Sequence, residues 1–334
     1  MIRIEKMQNA EVRNMKLHSR LAALALAGAM LLGLCACSGS QDGTYTVGIC
    51  QLTQHAALDK ATQGFKDALE KALPGQVKFD DQNASNDLSL CSTILGKFVA
   101  ADVDLILANA TPALQTAAAA TVDIPILSTS ITEYGIALGL ENFNGTIGGN
   151  ISGTSDLAPL DEQAQMVKDW FPDAKNIALL YCSAEANSQY QVDNIQIELE
   201  KLDYTCEHFP FTDSNDLFAV VEGAADWADV IYVPTDNTVA SNTAIIDNCC
   251  RSLKVPVIGG EEAIIAGCGV ASLCIDYYDL GFTTGEMAAQ ILTGRADISQ
   301  MPIQHAEYFG VYNPEICAAL GLSVPEGYTA IDAN

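Results

Sequence analysis

"VDLILANATP" at residues 103–112 and "DVIYVPTDN" at residues 229–237 share one pattern: a short aliphatic run that breaks at once into Thr, Pro, Asp or Asn. Such a run, closed by helix-capping residues, predicts a buried strand whose C-terminal end opens straight into a helix. Both stretches have matching company. "VGIC" (47–50) precedes the first and "IPILSTSITE" (124–133) follows it, while "IALLYC" (177–182) precedes the second and "VPVIGGEEA" (255–263) follows it. Val47 to Asp104 is 57 residues and Ile177 to Asp229 is 52; the next strands start 20 and 26 residues further on. The chain therefore holds an internal repeat of two β-α-β-α-β-α-β halves.

Further strands are expected over 45–50, 77–82, 204–210, 270–276 and 307–313, the last leading into a terminal helix. Helices are expected over 57–73, 87–101, 112–120, 159–170, 188–202, 216–226, 238–252 and 279–293. Strands alternating with helices imply mainly parallel sheets. The predicted class is α/β, with two doubly wound, Rossmann-like lobes joined by crossing segments. The Gly-rich "NGTIGGNISGTSD" (144–156) reads as one crossing. Residues 45–153 plus about 277–306 are assigned to an N-terminal lobe, and about 154–276 plus 307–334 to a C-terminal lobe. Doubly wound sheets bind ligands beyond the C-terminal ends of their strands. Two such ends facing each other make a cleft before any motif is invoked.

Charge narrows the possible partners. The 334 residues carry 42 Asp and Glu against 16 Lys and Arg. Five basic and two acidic residues precede Leu21, leaving eleven basic against forty acidic beyond it. A body that acidic excludes nucleic acid, whose binding needs Lys and Arg. Residues 21–34, "LAALALAGAMLLGL", are uncharged, follow Lys16, His18 and Arg20, and are too short to span a bilayer. They predict a secretory signal over residues 1–36, with Met15 as an alternative start. Leu34-Cys35-Ala36-Cys37 resembles a lipobox, which makes Cys37 the lipidated residue and 37–44 a Ser/Gly-rich tether. The expectation is a lipoprotein on the outer face of the cell membrane, as in a Gram-positive bacterium.

Nine cysteines follow Cys37, with no CxxC pair and no His at ligand spacing. Neither a metal site nor a fully paired disulfide framework is expected. There is no GxSxG, HExxH, Walker loop or dinucleotide pattern, so neither an enzyme nor a cofactor is expected. One enzymatic alternative exists. Cys50 and Cys182 end equivalent strands, the arrangement of a cofactor-independent two-thiol amino-acid racemase. Against it, neither has a His or Lys nearby in sequence, and the surrounding carboxylates would raise a thiol pKa.

Chemistry is expected at the strand ends. Thr111-Pro112-Ala113 opens a helix whose first N–H groups can hold a carboxylate without Lys or Arg. In the second half, Glu185, Asn187 and Ser188 follow one strand and Thr235, Asp236 and Asn237 the next; Glu261-Glu262 and Asp276-Tyr277-Tyr278 follow two more. Asp236 is the carboxylate expected to meet an ammonium. Each of these residues alone is an ordinary helix cap. Together around one cleft they form a zwitterion trap, with an α-amino acid as its occupant.

"ATPALQTA", "IALLYCSAEANS", "VIYVPTDNTVAS" and "IDYYDLGFTTGEMAAQIL" resemble the tryptophan/tyrosine-type substrate-binding lipoproteins of ABC importers, which have the type I periplasmic-binding fold. The resemblance runs from about Tyr45 to the C-terminus. It implies a cleft closing on an aromatic amino acid (tryptophan, tyrosine or phenylalanine) or a branched-chain one, delivered to a permease and its ATPase. Carried onto this chain, the ligand contacts fall at Gln51, Thr111, Pro112, Ala113, Glu185, Asn187, Ser188, Thr235, Asp236, Asn237 and Asp276, with His55 at a matching helix start. Three stretches depart from the family. Ser130-Ile131-Thr132-Glu133-Tyr134 replaces a Thr-Asp-Pro-type turn, Cys182 stands where Asn is usual, and "GGEEAIIAGCG" is more acidic. A monomer is expected, its lobes opening about segments near 150–156, 274–278 and 304–308. A ligand-sensing lipoprotein feeding a receptor is the other non-enzymatic alternative.

Overall fold

The computed structural model describes residues 44–331. The signal segment, Cys35 and Cys37 lie outside the described residues, as do the expectations attached to them. No helix among the described residues is long and apolar enough to cross a membrane.

The first half lays down β1 (Tyr45–Gln51), α1 (Ala56–Ala72), β2 (Val77–Asn83), α2 (Leu88–Ala100), β3 (Leu105–Asn109), α3 (Thr111–Ala120), β4 (Ile126–Ile131), α4 (Tyr134–Leu138) and β5 (Ile151–Ser155). The second half runs α5 (Leu160–Trp170), β6 (Asn176–Cys182), α6 (Ala186–Lys201), β7 (Thr205–Phe211), α7 (Ser214–Trp227) and β8 (Val230–Val233). It continues with α8 (Asn237–Ala240), α9 (Thr243–Leu253), β9 (Val257–Gly259), α10 (Glu262–Gly267) and β10 (Ala271–Ile275). The remainder is α11 (Tyr277–Leu292), β11 (Gln304–His305), β12 (Tyr308–Tyr312), α12 (Pro314–Leu320) and β13 (Thr329–Ala330).

These strands form two sheets, ordered β11-β5-β4-β3-β1-β2 and β13-β12-β10-β9-β8-β6-β7. Within them β5-β4-β3-β1-β2 and β10-β9-β8-β6-β7 have the same order, which is the sequence repeat made physical. Pairing is parallel except between β10 and β12. Helices cover both faces of each sheet, so β3 and β4 are buried at every position and read as continuous apolar or small runs rather than alternating ones. Register sets the strand ends level: Gln51 lies opposite Asn83 and Asn109, and Asn109 opposite Thr129.

After β10 the chain returns to the first lobe, and α11 packs along α1. Glycines permit the approach, since a methyl at Gly281 would overlap the Ala61 carbonyl and one at Gly64 the Tyr278 carbonyl. Phe65, Leu69 and Met287 seal that seam in the core, each worth about 1.5–3 kcal/mol on burial. The chain thus passes between the sheets after β5, at Asp276 and between β11 and β12.

Several elements differ from the sequence reading. Residues 151–155 of the Gly-rich stretch are not a crossing but β5, a buried strand of the first sheet. Small residues disguise it. A Cβ on Gly153 would press against the Ser128 carbonyl and the Tyr134 hydroxyl, so the position needs glycine for a packing reason. The single helix expected over 238–252 is divided into α8 and α9, because Asn242 turns back to hydrogen-bond the Val239 carbonyl. The short α4 and α10 carry too few residues to show a helical period. In α4 the Glu133 side chain caps the start, and Gly139 at φ 63° ends it.

Candidate ligand-binding cleft

The two rows of strand ends face each other and touch. His55 Nε2 lies 3.3 Å from Asn237 Oδ1, Asn86 donates to Thr238 Oγ1 at 3.2 Å, and Gln191 Nε2 donates to Thr132 Oγ1 at 3.5 Å. Lys60 pairs with Glu262 across the same gap at 2.9 Å. The lobes are closed on one another.

In the first lobe, β3 ends in Asn109, which donates to the Leu58 carbonyl at 2.9 Å and to Thr62 Oγ1 at 3.0 Å. Next comes Ala110, a non-glycine residue at φ 88°. That conformation is costly, on the order of 1–3 kcal/mol, and is held only where surrounding structure demands it. It aims the N-terminus of α3 at the opposite lobe. Thr111, Pro112 and Ala113 are buried there, and the first N–H groups of a helix have no partner within it. Gln51 is used internally. Its amide donates to the Thr53 carbonyl and Asp59 at 2.7 Å each and accepts from Thr62 at 2.6 Å, tying β1 to α1.

The second lobe treats its strand ends differently. Glu185, buried, accepts from the backbone N–H groups of Asn237 and Thr238, from the Thr238 hydroxyl, and from the side-chain amides of Asn187 and Asn237, at 2.7–3.2 Å. Asp236, fully buried, accepts from Cys182 N at 2.7 Å and Val239 N at 2.9 Å, and interacts with the buried Ser188. Burial first, then the neighbouring Glu185, pushes its carboxyl up to about 7. The carboxylate expected to receive an ammonium therefore has both oxygens engaged by its own lobe. Thr235, half-buried, receives Gln191 Oε1 on its N–H, and its carbonyl accepts from Asn187 at 3.0 Å. Asp276 stands apart: it is exposed and caps α11 through Tyr278 N and Asp279 N.

Among the described residues, eight buried side-chain polar atoms lack a hydrogen-bond partner. Six of them gather at these strand ends: His55 Nδ1, Asn109 Oδ1, Ser130 Oγ, Asp156 Oδ1, Asn187 Oδ1 and Glu261 Oε1. Each unpaired buried group disfavours folding by about 1–3 kcal/mol, so the gathering of six at the strand ends sets this cleft apart from the rest of the described interior. The set is rich in acceptors and contains no Lys or Arg. Sequence reasoning missed Asn109, Ser130 and Asp156; it placed Glu261 among the strand-end clusters of the cleft without giving it a role. The usable signal was positional: each lies just past, or at, a strand end equivalent to those already singled out. A polar cavity of about 580 Å³ beside α1 is lined by Gln51, Thr53, Asp59, Lys66 and Asp81 among others, and none of the six atoms belongs to it.

The two thiols weighed for racemisation do not share the cleft. Cys50 Sγ lies 3.5 Å from Cys91 Sγ inside the first core, and Cys182 Sγ donates to the Thr212 carbonyl inside the second. Burial pushes the Cys182 thiol up to about 11, away from a thiolate. The nine cysteines of the described residues are free.

Two doubly wound lobes closing polar strand ends upon each other define a solute-binding protein of the type I periplasmic-binding fold. Residues 46–331 match the family model described as ABC transporter substrate binding protein, and the chain belongs to that family. Members of this family are binding proteins rather than enzymes and work outside the cytoplasm. The chain is 35% identical over 308 residues to a tyrosine-binding protein of Clostridioides difficile, covering 87% of this chain and 88% of that one. A solved ABC domain in complex with L-Trp from Streptococcus pneumonia is 33% identical, with a TM-score of 0.82 over 86% of this chain and all of that one. A ligand-free, open substrate-binding protein with adhesive properties from Clostridium difficile is 36% identical, with a TM-score of 0.67 over 87% of this chain and all of that one. At near-equal identity the closer shape is the ligand-bound one, in keeping with the bonds that join the lobes here.

Proposed function

We propose that this chain is the solute-capturing component of an ABC importer, closing on an amino acid with an aromatic side chain, tyrosine or tryptophan first, and handing it to a permease and its ATPase. The observation that carries the reading is the convergence of six unpartnered buried polar atoms on strand ends from both lobes. The first lobe offers donors, the N-terminus of α3 at Thr111, Pro112 and Ala113 with Ser130, to a ligand carboxylate. Acceptors come from both lobes, Asn109 and Asp156 in the first and Asn187 and Glu261 in the second. Asn187 faces the ligand, while Glu185, Ser188, Thr235, Asp236 and Asn237 frame the wall behind it, and Gln51 braces the first lobe. The tyrosine-binding relative and the L-Trp complex support an aromatic occupant. The lobes, divided at the three chain crossings, open and close about them, and ligand contacts from both sides favour the closed form. A lipid on Cys37 keeps this monomer beside its permease.

A thermal-shift screen of the full chain against the amino acids and a set of sugars tests the reading. A ligand at 100 times its Kd stabilises by about 2.7 kcal/mol, so tyrosine or tryptophan should raise the melting temperature by several degrees. A sugar that does so while every amino acid leaves the melt unchanged would overturn it.

A further inference from the structure

Glu185 and Asp236 spend their oxygens on their own lobe. Two other buried carboxylates do not. Asp156 is 5% exposed; Oδ2 accepts from the Tyr277 hydroxyl at 2.9 Å, the Thr132 hydroxyl and its own backbone N–H also favour the carboxylate, and no donor among the described residues stands in hydrogen-bonding geometry to Oδ1. Glu261 is 2% exposed, and its Oε1 likewise has none. Asp156 is the charge that acts most strongly on Glu261, and Tyr277 interacts with both.

They come from opposite lobes. Asp156 follows β5 and is tied to the first sheet by its N–H to the Ile131 carbonyl. Tyr277 opens α11, which packs on α1. Glu261 stands between β9 and α10 in the second lobe. The titratable groups facing the pair are Tyr134, Tyr277, Asp236, Glu185 and, through Tyr277, Cys274. None is a cation; Lys60, which reaches across to the second lobe, is engaged with Glu262. Burial raises Asp156 to about 6 and Glu261 well above the ordinary carboxylate range.

We propose that Asp156 and Glu261 are the two halves of an ammonium seat, one from each lobe, and that the ligand's amino group is what permits closure. This rests on the amino-acid reading above. Two carboxylates brought together out of water repel and lose hydration. An ammonium carries three N–H donors and a compensating charge, so it turns that juxtaposition from opposing closure to favouring it. A ligand of the same shape without an amino group offers no compensation.

The test compares L-tyrosine with 3-(4-hydroxyphenyl)propionate by calorimetry, using the full chain, Asp156→Asn, Glu261→Gln and the double variant. The unsubstituted chain should prefer L-tyrosine by at least 100-fold. Each single variant should bind L-tyrosine at least 10-fold more weakly with the deaminated acid unaffected, and the double variant's preference should fall below 10-fold. Small-angle scattering of the ligand-free double variant should show a more compact particle than the ligand-free parent. A preference that survives both substitutions would overturn the seat while leaving the amino-acid reading intact. An unsubstituted chain that binds neither tyrosine nor tryptophan overturns the reading itself. Should the variants fail to fold, the parent alone decides: a preference for L-tyrosine over the deaminated acid of less than 10-fold would overturn the seat.

Discussion

The ends of β3 and β8 occupy equivalent places in the two halves and have been put to opposite uses. Past β3, Asn109-Ala110-Thr111-Pro112 carries no carboxylate and leaves the N–H end of α3 facing the other lobe. Past β8, Thr235-Asp236-Asn237 opens α8, and Glu185 and Asp236 turn onto its N–H groups. One helix start has no side-chain cap at its N-cap; the other is plugged by side chains of its own lobe. A duplicated scaffold supplies two similar walls, and the polarity of the cleft follows from how each wall treats its helix N-termini.

The largest test of that contrast is Glu185→Ala. It removes the acceptor of five hydrogen bonds and strands buried donors, so a loss on the order of 3–5 kcal/mol should appear in denaturant unfolding. If stability changed by less than about 1 kcal/mol while ligand binding vanished, Glu185 would belong to the ligand and the contrast would fail.

Next comes pH. Asp156 and Asp236 have folded values of about 6 and about 7 against an ordinary 3.8, chiefly through burial. The folded chain therefore holds protons between about pH 4 and 7 that the unfolded chain has released. The contribution of these two groups to stability is full below about pH 4 and falls as pH rises to about 7, by up to about 7 kcal/mol for the pair. Melting curves across that range check the sign, and Asp156→Asn should flatten part of the slope.

Smaller effects sharpen the boundary of the site. Asp276→Ala should lower stability by about 1 kcal/mol through loss of a cap and leave the Kd for tyrosine unchanged; a tenfold rise in Kd would return Asp276 to the ligand. Ala110→Gly relieves a positive-φ alanine at the open helix start and should raise stability by about 1 kcal/mol or less, net of the chain entropy glycine adds. A melt that falls instead would mean that the backbone there is not under strain.

Much of this was legible in residues 103–112 and 229–237 alone. The repeat, the parallel sheets, the facing strand ends and the open start of α3 follow from runs of aliphatic residues and the caps that close them. β5 was not legible, because Ser152, Gly153 and Thr154 carry no hydrophobic period; with β5 hidden, Asp156 had no strand end to belong to. Nor could composition separate Asp236 from Glu261. Both are acids past a parallel strand, and which one keeps an unpaired oxygen depends on Glu185 and Asp236 meeting α8, contacts made between residues about fifty positions apart in the chain.

The most direct measurement is a crystal structure of the chain with L-tyrosine. The amino nitrogen should lie within about 3.2 Å of both Asp156 Oδ1 and Glu261 Oε1, with the ligand carboxylate at the N-terminus of α3. A ligand turned end for end, or seated in the polar cavity beside α1, would contradict the seat between Asp156 and Glu261.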